Sequence, residues 1–326
     1  MDIFTYAFMQ RALLAALLSG LLSPAIGTYI VQRRLTLLGD GLGHVAVAGV
    51  GLSFLTNTAP MPLAIAVCVA GALLVEILRQ QGKATGDVGL AVLFYGGLAS
   101  GVLMAGLAGQ GAGALSQFLF GSLNTVSPTD LWVVGGLTIV VLVLCIGLSP
   151  QLFAICADED FARVLGVKVK LLNLLIVVLA ALAVTLSMRT VGLLLVSAMM
   201  VIPVATANNL FASFRACLIG AMLIGGFVSV AGTVGSFYAE SAPGATIVVS
   251  SIIVFLLTWP LTSVLNHRRA AQSRRDEVID EADHVIACDP LHDHDPAHVA
   301  VQHGDHVDYL HDGHRHAPHG DHFDEH

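Results

Sequence analysis

The sequence predicts an all-α protein: a polytopic bundle of eight or nine transmembrane helices with a disordered, histidine-rich cytoplasmic tail. Of its 326 residues, 56% are hydrophobic and only 12% are charged, and the mean hydropathy is +0.80. A soluble domain of this length carries about 25% charged residues. Apolar stretches long enough to cross a bilayer recur as far as residue 265, and acidic residues and histidines dominate after residue 276. This composition disfavours a soluble globular enzyme.

Nine apolar runs make up the predicted bundle, because one crossing needs about 20 residues. They cover residues 10–31, 35–56, 62–78, 88–108, 130–149, 171–188, 190–211, 216–238 and 246–265. Eight spans follow instead if one run, such as 35–56 or 171–188, is broken or re-entrant. Pairs of small residues four positions apart predict close contacts between helices, and these pairs are Gly97 with Gly101, Ala16 with Gly20, and Ala221 with Gly225.

Basic residues fall in alternate connections between the runs, as Lys and Arg do in cytoplasmic loops. If every run spans the membrane, the carboxyl terminus is cytoplasmic and the amino terminus is external. The basic cluster after the last run divides the chain into a transmembrane domain, residues 1–267, and a basic linker with a His/Asp-rich tail, residues 268–326. Residues 1–275 hold 14 Lys and Arg against 9 Asp and Glu, so nucleic acid is not an expected partner of this mildly basic body.

Asp40 and His44 lie four residues apart in the second run. On a helix this spacing puts them on one face with Cβ atoms about 5 to 6 Å apart, so oxygen and nitrogen can converge on one ion. An Asp near the membrane centre costs roughly 2.5 to 3.5 kcal/mol, which points to a function. These donors suit zinc and also manganese, and two ligands hold either ion loosely enough for transit. Alternatively, Asp40 pairs with Arg33 or Arg34, and His44 is a hydrogen-bonded core residue.

Other ionisable groups near the membrane have simpler interpretations. Glu76 stands three residues before Arg79, a spacing typical of an ion pair within one helix. Asp87 begins the fourth run and is expected to complement the helix dipole. The sequence contains neither G-x-x-x-x-G-K-[ST] nor H-E-x-x-H, so we predict no ATP binding of that type, no metalloprotease and no enzymatic activity.

The cytoplasmic connection from Asp158 to Gly166 predicts a two-turn amphipathic helix. Acidic residues come first, Phe161, Val164 and Leu165 share one side, and a glycine ends the segment, which are start, face and stop signals. Such a helix docks in a groove of a partner protein or rests on the bilayer surface.

The tail holds twelve of the fourteen histidines, interleaved with aspartate. Its polarity predicts disorder and weak binding of zinc, nickel or copper at several places. The candidate ligands, at local bidentate spacings, are His292, His294, His303, His306, His314, His316, His319 and His322. On the cytoplasmic side such sites would buffer arriving metal or provide feedback. The alternative is a solvated acidic tail with incidental affinity.

Four ordered stretches carry a family resemblance. They are Arg33 to His44 (RRLTLLGDGLGH), Asp158 to Gly166, Val191 to Pro203, and Pro243 to Val248 (PGATIV). With them, residues 8–265 resemble the membrane permease subunits of zinc/manganese-uptake ABC transporters.

The resemblance implies a homodimeric permease in the cell membrane of a prokaryote, joined to two copies of a cytoplasmic ABC ATPase that binds ATP. It also implies an extracytoplasmic metal-binding protein that delivers the ion, and no permanently bound cofactor. Asp40 and His44 correspond to residues on the family's metal path. The segment with Asp158, Glu159, Phe161, Ala162, Arg163 and Gly166 corresponds to the coupling helix that contacts the ATPase. The histidine-rich tail departs from the family pattern and favours Zn²⁺ over Mn²⁺ as the transported ion.

Two other classes of transporter remain open. A secondary divalent-cation transporter or an efflux carrier would also place Asp and His in a helix bundle, but it would need no docking helix and no ATPase. A permease for cobalamin or an iron chelate would need no pair of ligands for a bare ion.

Overall fold

The structure is a computed structural model that describes residues 6–81, 86–110, 112–121, 128–188 and 192–260 of the membrane domain. In the tail it describes residues 286–288, 299–303, 306–311, 314–319 and 322–325. The chain separates into two compact units, Met1–Pro260 and Leu261–His326.

In the described residues of the first unit, every secondary-structure element is a helix. Its helices are α1 Ala7–Gln32, α2 Leu38–Thr56, α3 Pro60–Gln80, α4 Gly86–Leu107, α5 Ala112–Phe120, α6 Pro128–Gly147, α7 Ser149–Ala157, α8 Glu159–Val164, α9 Val169–Ser187, α10 Leu193–Leu210, α11 Phe214–Tyr238 and α12 Pro243–Pro260. Each of the nine predicted runs coincides with one of these helices. The all-α bundle predicted from composition is confirmed.

The number of long spans is smaller than the number of runs. Among the described residues, seven helices are long and apolar enough to cross a membrane, and the bent pair α6 and α7 raises the number to eight. That pair turns by 64° at its junction. α10, Leu193–Leu210, has 18 residues and belongs with the shorter apolar helices over its described part, Leu195–Leu210. Hydropathy alone cannot show a bend, because the residues remain apolar on both sides of it.

α2 is the helix that the bundle encloses most completely. It packs against α3, α4, α9 and α10. Of its apolar 18-residue stretch, 78% is buried inside the protein. α1 packs along α11, where a Cβ added to Gly20 would lie 2.6 Å from the carbonyl oxygen of Gly225. The small residues predicted at helix contacts therefore do lie at them.

The described residues of the second unit form a five-stranded antiparallel sheet. Its strands are β1 Ile286–Cys288, β2 Val299–His303, β3 His306–His311, β4 His314–His319 and β5 His322–Glu325, in the order β1-β5-β4-β3-β2. The prediction of a disordered tail is therefore wrong for these residues. The sequence does carry strand signals there: β-branched and aromatic residues such as Val299, Val301 and Tyr309, and Gly-Asp or Asp-Gly between successive strands, favour hairpins. Composition alone hides such local patterns.

Candidate metal pathway and docking helix

Asp40 and His44 both lie in the first two turns of α2. This helix follows α1 after the short connection of residues 33–37. Asp40 stands in the first turn, where its charge complements the helix dipole, and His44 follows one turn later on the same face. The neighbouring Gly43 is buried, and a Cβ there would lie 3.1 Å from Leu193 Cγ of α10. Glycine thus lets a neighbouring helix approach the α2 backbone beside the candidate ligands.

Asp40 lines a cavity of about 270 Å³ between the start of α2 and α4. The lining residues are Leu37, Asp40, Leu90, Ala91, Phe94 and Tyr95, and among them Asp40 alone is charged. One water occupies about 30 Å³ in the liquid, so the cavity can hold a cation with several waters. A carboxylate in an otherwise apolar wall is the feature expected of a cation site.

His44 is buried, with 6% of its surface exposed. Its Nδ1 is fully buried and has no hydrogen-bond partner. The ring packs at a steep angle against Phe94, with centroids 4.1 Å apart and planes inclined by 68°. Because Phe94 also lines the cavity that holds Asp40, its ring links the surroundings of the two candidate ligands.

Two contacts differ from those expected in the simpler interpretation of this pair. Arg33 bonds to Glu159 of α8 instead of Asp40, and within the described ranges Asp40 forms no ion pair. The Nδ1 atom of His44 has no hydrogen-bond partner, whereas a structural histidine in a core would form a hydrogen bond. Buried polar groups are paired in most proteins, and an unpaired one calls for an explanation such as an absent ion or water.

Gly97 sets the distance between α4 and α2 at His44. A Cβ at this position would lie 2.6 Å from the carbonyl carbon of His44 and 2.7 Å from the nitrogen of Val45. Real Cβ atoms do not approach backbone this closely, so only glycine fits. Gly101, one turn further along α4, lies equally close to the carbonyl of Val47. The predicted small-residue pair thus brings α4 and Phe94 against His44.

The protein supplies few ligands at this place. In the part of the chain that the structure describes, no three His, Cys, Asp or Glu residues are grouped so that they could hold a metal ion. A structural zinc site has four protein ligands and a catalytic one has three. Asp40 and His44 offer two potential ligands, fewer than either kind of zinc site.

α8 confirms the short helix predicted in the connection from Asp158 to Gly166. Asp158 caps it, its Oδ1 accepting hydrogen bonds from the backbone N–H groups of Asp160 and Phe161 at 2.9 Å each. Gly166 follows with a φ of 79°, a left-handed conformation that suits glycine at a helix end. Three apolar side chains stand out from the helix and its end: Phe161, Val164 and Leu165 are 61%, 85% and 61% exposed.

Two residues assigned to the docking surface face inward instead. Ala162 is completely buried. Glu159 Oε1 accepts hydrogen bonds from Arg33 Nη2 at 2.5 Å and from Asn173 Nδ2 at 3.0 Å. These two residues attach α8 to its own bundle, and the exposed apolar residues form its free face. A helical repeat alone does not show which face the neighbouring helices cover.

The remaining ionisable groups agree with their simpler interpretations. Arg79 donates two hydrogen bonds to Glu76, at 2.8 and 2.9 Å, and Gln80 adds a third at 2.9 Å. The predicted ion pair within the helix is confirmed. Asp87 is the second residue of α4, in agreement with its predicted place at a helix start.

Six of the eight candidate histidines in the tail lie on strands. In the strand register His303 pairs with His306 and His319 with His322, while His314 pairs with His311. His316 lies opposite Tyr309. His292 and His294 lie outside the described residues.

Sequence reasoning missed the residues of α4 that complete the site. Phe94, Tyr95 and Gly97 are ordinary members of an apolar run, and nothing in their spacing points to α2. The only available signal was the pair of glycines at 97 and 101, which predicted a close contact without identifying the other helix.

The helical part of the chain matches a known protein family. The family model described as the ABC 3 transport family matches residues 5–261, so its match ends where the histidine-rich tail begins. It includes all of α1 to α12.

Relatives from bacteria carry names of metal transport. The chain is 31% identical over 259 residues to the manganese transport system membrane protein MntC of Halalkalibacterium halodurans, with 79% of this chain and 88% of that one covered. It is 30% identical over 279 residues to the chelated iron transport system membrane protein YfeD of Yersinia pestis, with 83% and 90% covered. Among solved structures, PsaBC of Streptococcus pneumoniae in complex with Fab is similar, with a TM-score of 0.71, 27% identity and coverage of 78% and 92%.

Proposed function

Since this chain belongs to the ABC 3 transport family and is a permease of a metal-uptake ABC transporter, we propose that its cargo is a bare divalent cation that passes Asp40 and His44. The observation that carries this proposal is the buried, unpartnered Nδ1 of His44, one helical turn from a carboxylate that opens on a cavity. An unpaired buried polar atom costs about 1–3 kcal/mol. A passing cation would offset that cost each time it binds.

The donor set favours an ion stripped of part of its hydration shell. A carboxylate oxygen and an imidazole nitrogen would replace some of its waters, and the remaining positions stay with water in the cavity. A large chelate is held by its own ligands and would need no such pair. Loose, two-ligand binding suits transport because a closed four-ligand site retains its ion.

Zn²⁺ is the ion that we propose first, because the tail is rich in imidazole, a donor that suits zinc well. Mn²⁺ is the second candidate, and it is favoured by the name of a relative that transports manganese. The tail lies beyond the matched residues 5–261, so relatives say nothing about the preference that it adds. Elemental analysis of cells with and without the protein, under zinc or manganese starvation, distinguishes the two ions.

The free face of α8 is proposed to bind a cytoplasmic ABC ATPase. Its exposed apolar residues, Phe161, Val164 and Leu165, fit a groove on such a partner. Arg163, Asp158 and Gly166 shape the same helix and its ends. ATP on the partner would move α8 and switch the bundle between outward-open and inward-open forms. Copurification with an ATPase separates this account from a secondary transporter or an efflux carrier.

Two further partners complete the proposed transporter. A second copy of the chain would cover the outer side of α4, where Tyr95 lines the cavity and is 69% exposed. An extracytoplasmic metal-binding protein would deliver the ion from the other side. The transporter lies in the cell membrane of a prokaryote with the carboxyl terminus cytoplasmic, as the distribution of basic residues predicts.

The tail is proposed to bind arriving metal ions weakly. Residues directly opposite each other on antiparallel strands have Cβ atoms about 4.5–5.5 Å apart. The pairing of His303 with His306 and of His319 with His322 supports two-ligand sites at these places. Such sites would buffer the ion or reduce uptake when cytoplasmic metal is abundant.

Replacing the pathway residues tests the central proposal. Asp40→Asn and His44→Ala should each abolish uptake of radiolabelled zinc and manganese while the transporter still assembles. Ser53→Ala is a matched control, because Ser53 is a buried polar residue of the same helix that bonds only to the backbone of Val50. Normal accumulation of both metals in the Asp40 or His44 variant would refute the site.

A further inference from the structure

An ion pair joins α8 to the connection that leads into α2. Arg33 Nη2 donates to Glu159 Oε1 at 2.5 Å, and the side chain of Arg33 is only 5% exposed. Asn173 at the start of α9 donates to the same oxygen. The two partners are 126 residues apart in sequence, so this bond ties the cytoplasmic docking helix to a distant part of the bundle.

The connection that carries Arg33 is short and rigid. The N–H groups of Arg33, Arg34 and Leu35 donate to carbonyls in the last turns of α1, and Leu38 N donates to Leu35 O. Arg34 adopts a left-handed conformation with φ of 58°. With its backbone groups bonded in this way, the connection passes a displacement of Arg33 on to the first turn of α2, which carries Asp40.

The bond differs from the other buried ion pair of the bundle. Arg79 donates two hydrogen bonds to Glu76 of its own helix, which fixes one rotamer. Arg33 holds Glu159 through a single nitrogen, and its Nη1 is buried without a partner. A spare donor on a guanidinium between two elements lets the contact change its geometry without being lost.

Breaking the contact would leave the buried guanidinium of Arg33 without a hydrogen-bonded carboxylate, although the charge of Glu76 in α3 still acts on it. Glu159 is the one carboxylate that the described residues pair with Arg33, and an unpaired buried charge is strongly unfavourable. Arg33 therefore follows Glu159 when α8 moves, since staying behind costs more than shifting the short connection.

We propose that Arg33 and Glu159 are positioning residues that transmit movement of α8 to α2, and so couple ATP hydrolysis to the passage of the ion past Asp40 and His44. This inference rests on the proposed function. Arg33 is buried and contacts neither the ion nor an ATPase, and acts only through the helices that it connects.

The test uses the complete transporter, with its ATPase and its metal-binding protein, in proteoliposomes. Arg33→Gln and Glu159→Gln should raise the ATP hydrolysed per metal ion transported by at least tenfold, while the ATPase still copurifies. The double variant should raise the ratio no further than either single one, because both act through one contact. Arg33→Lys keeps the charge and should remain within about threefold of the parent. Arg34→Gln removes an exposed arginine next to it, and should leave the ratio unchanged.

The ratio separates coupling from mere stability. If the contact only stabilised the fold, its loss would lower transport and ATP hydrolysis together. An unchanged ratio in Arg33→Gln and Glu159→Gln would therefore overturn the proposal. A double variant whose ratio of ATP hydrolysed to metal transported exceeds that of either single variant would overturn it as well, since the two residues would then act independently. If Arg33→Gln does not assemble, Glu159→Gln, which keeps shape and volume, supplies the same ratio. Failure of the proposed function shows elsewhere: the parent would transport no metal, or Asp40→Asn would transport it normally.

Discussion

Gly97 lets α4 approach α2 directly at His44, and its replacement by alanine measures how much the site depends on that approach. The new Cβ would lie 2.6 Å from the carbonyl carbon of His44, where carbon atoms prefer about 3.5–4.0 Å. α4 must therefore retreat by about 1 Å, taking Phe94 with it. Both neighbouring atoms belong to the backbone of α2, so no flexible side chain can give way instead.

The preceding residue provides the matched control. Gly96 is on the same helix, and a Cβ there would meet nothing within 4 Å. Both replacements gain about 0.8–1.0 kcal/mol of helix propensity, so this gain cancels in the comparison. What remains is the overpacking at Gly97, about 1–3 kcal/mol.

Two measurements follow from this comparison. Gly97→Ala should unfold at a lower temperature than Gly96→Ala, by about 2–4 °C for each kcal/mol between them. Metal uptake should fall by about 10-fold to 100-fold in Gly97→Ala, as expected for a displacement near 1 Å at a binding site, and should persist in Gly96→Ala. Equal stability and equal uptake in the two variants would show that the close contact does not support the site.

Three further predictions concern other parts of the chain. Phe161→Ser should reduce copurification of the ATPase at least tenfold without changing the yield of the permease; unchanged capture would remove α8 as the docking helix. Asp158→Ala deletes two hydrogen bonds at the start of α8 and should destabilise that helix by about 0.5–2 kcal/mol, seen as faster amide exchange confined to residues 159–164; exchange at the parent's rate would contradict the capping role. Removal of residues 276–326 should leave the initial rate of zinc uptake intact but relieve its inhibition by accumulated zinc, and identical behaviour with and without the tail would reject a buffering role.

The position of the two candidate ligands has a simple mechanical consequence. Asp40 and His44 are in the first turns of α2, and Arg33 precedes that helix by only five residues. A movement of Arg33 therefore reaches the candidate ligands within a few residues of chain. The rest of α2 packs against α3, α4, α9 and α10.

The sequence by itself determined the class of fold and supplied the two candidate pathway residues. Helical apolar runs, the spacing of Asp40 and His44, and the capping signals around Asp158 and Gly166 all act within one or two turns of helix, so local chemistry is sufficient to predict them. The same holds for the ion pair of Glu76 with its neighbour in the next turn.

Only the tertiary structure decided which distant groups meet. Gly96 and Gly97 are neighbours in the sequence, and the pair of Gly97 with Gly101 predicts a close contact without naming its partner; in the structure a Cβ at Gly96 would face open space and one at Gly97 would meet the backbone of His44. Arg33 had Asp40 nearby in the chain but binds Glu159, because the packing of the bundle brings α8 within reach of the end of α1. Pairing across a bundle depends on how whole helices fit together, and no short stretch of residues carries that information.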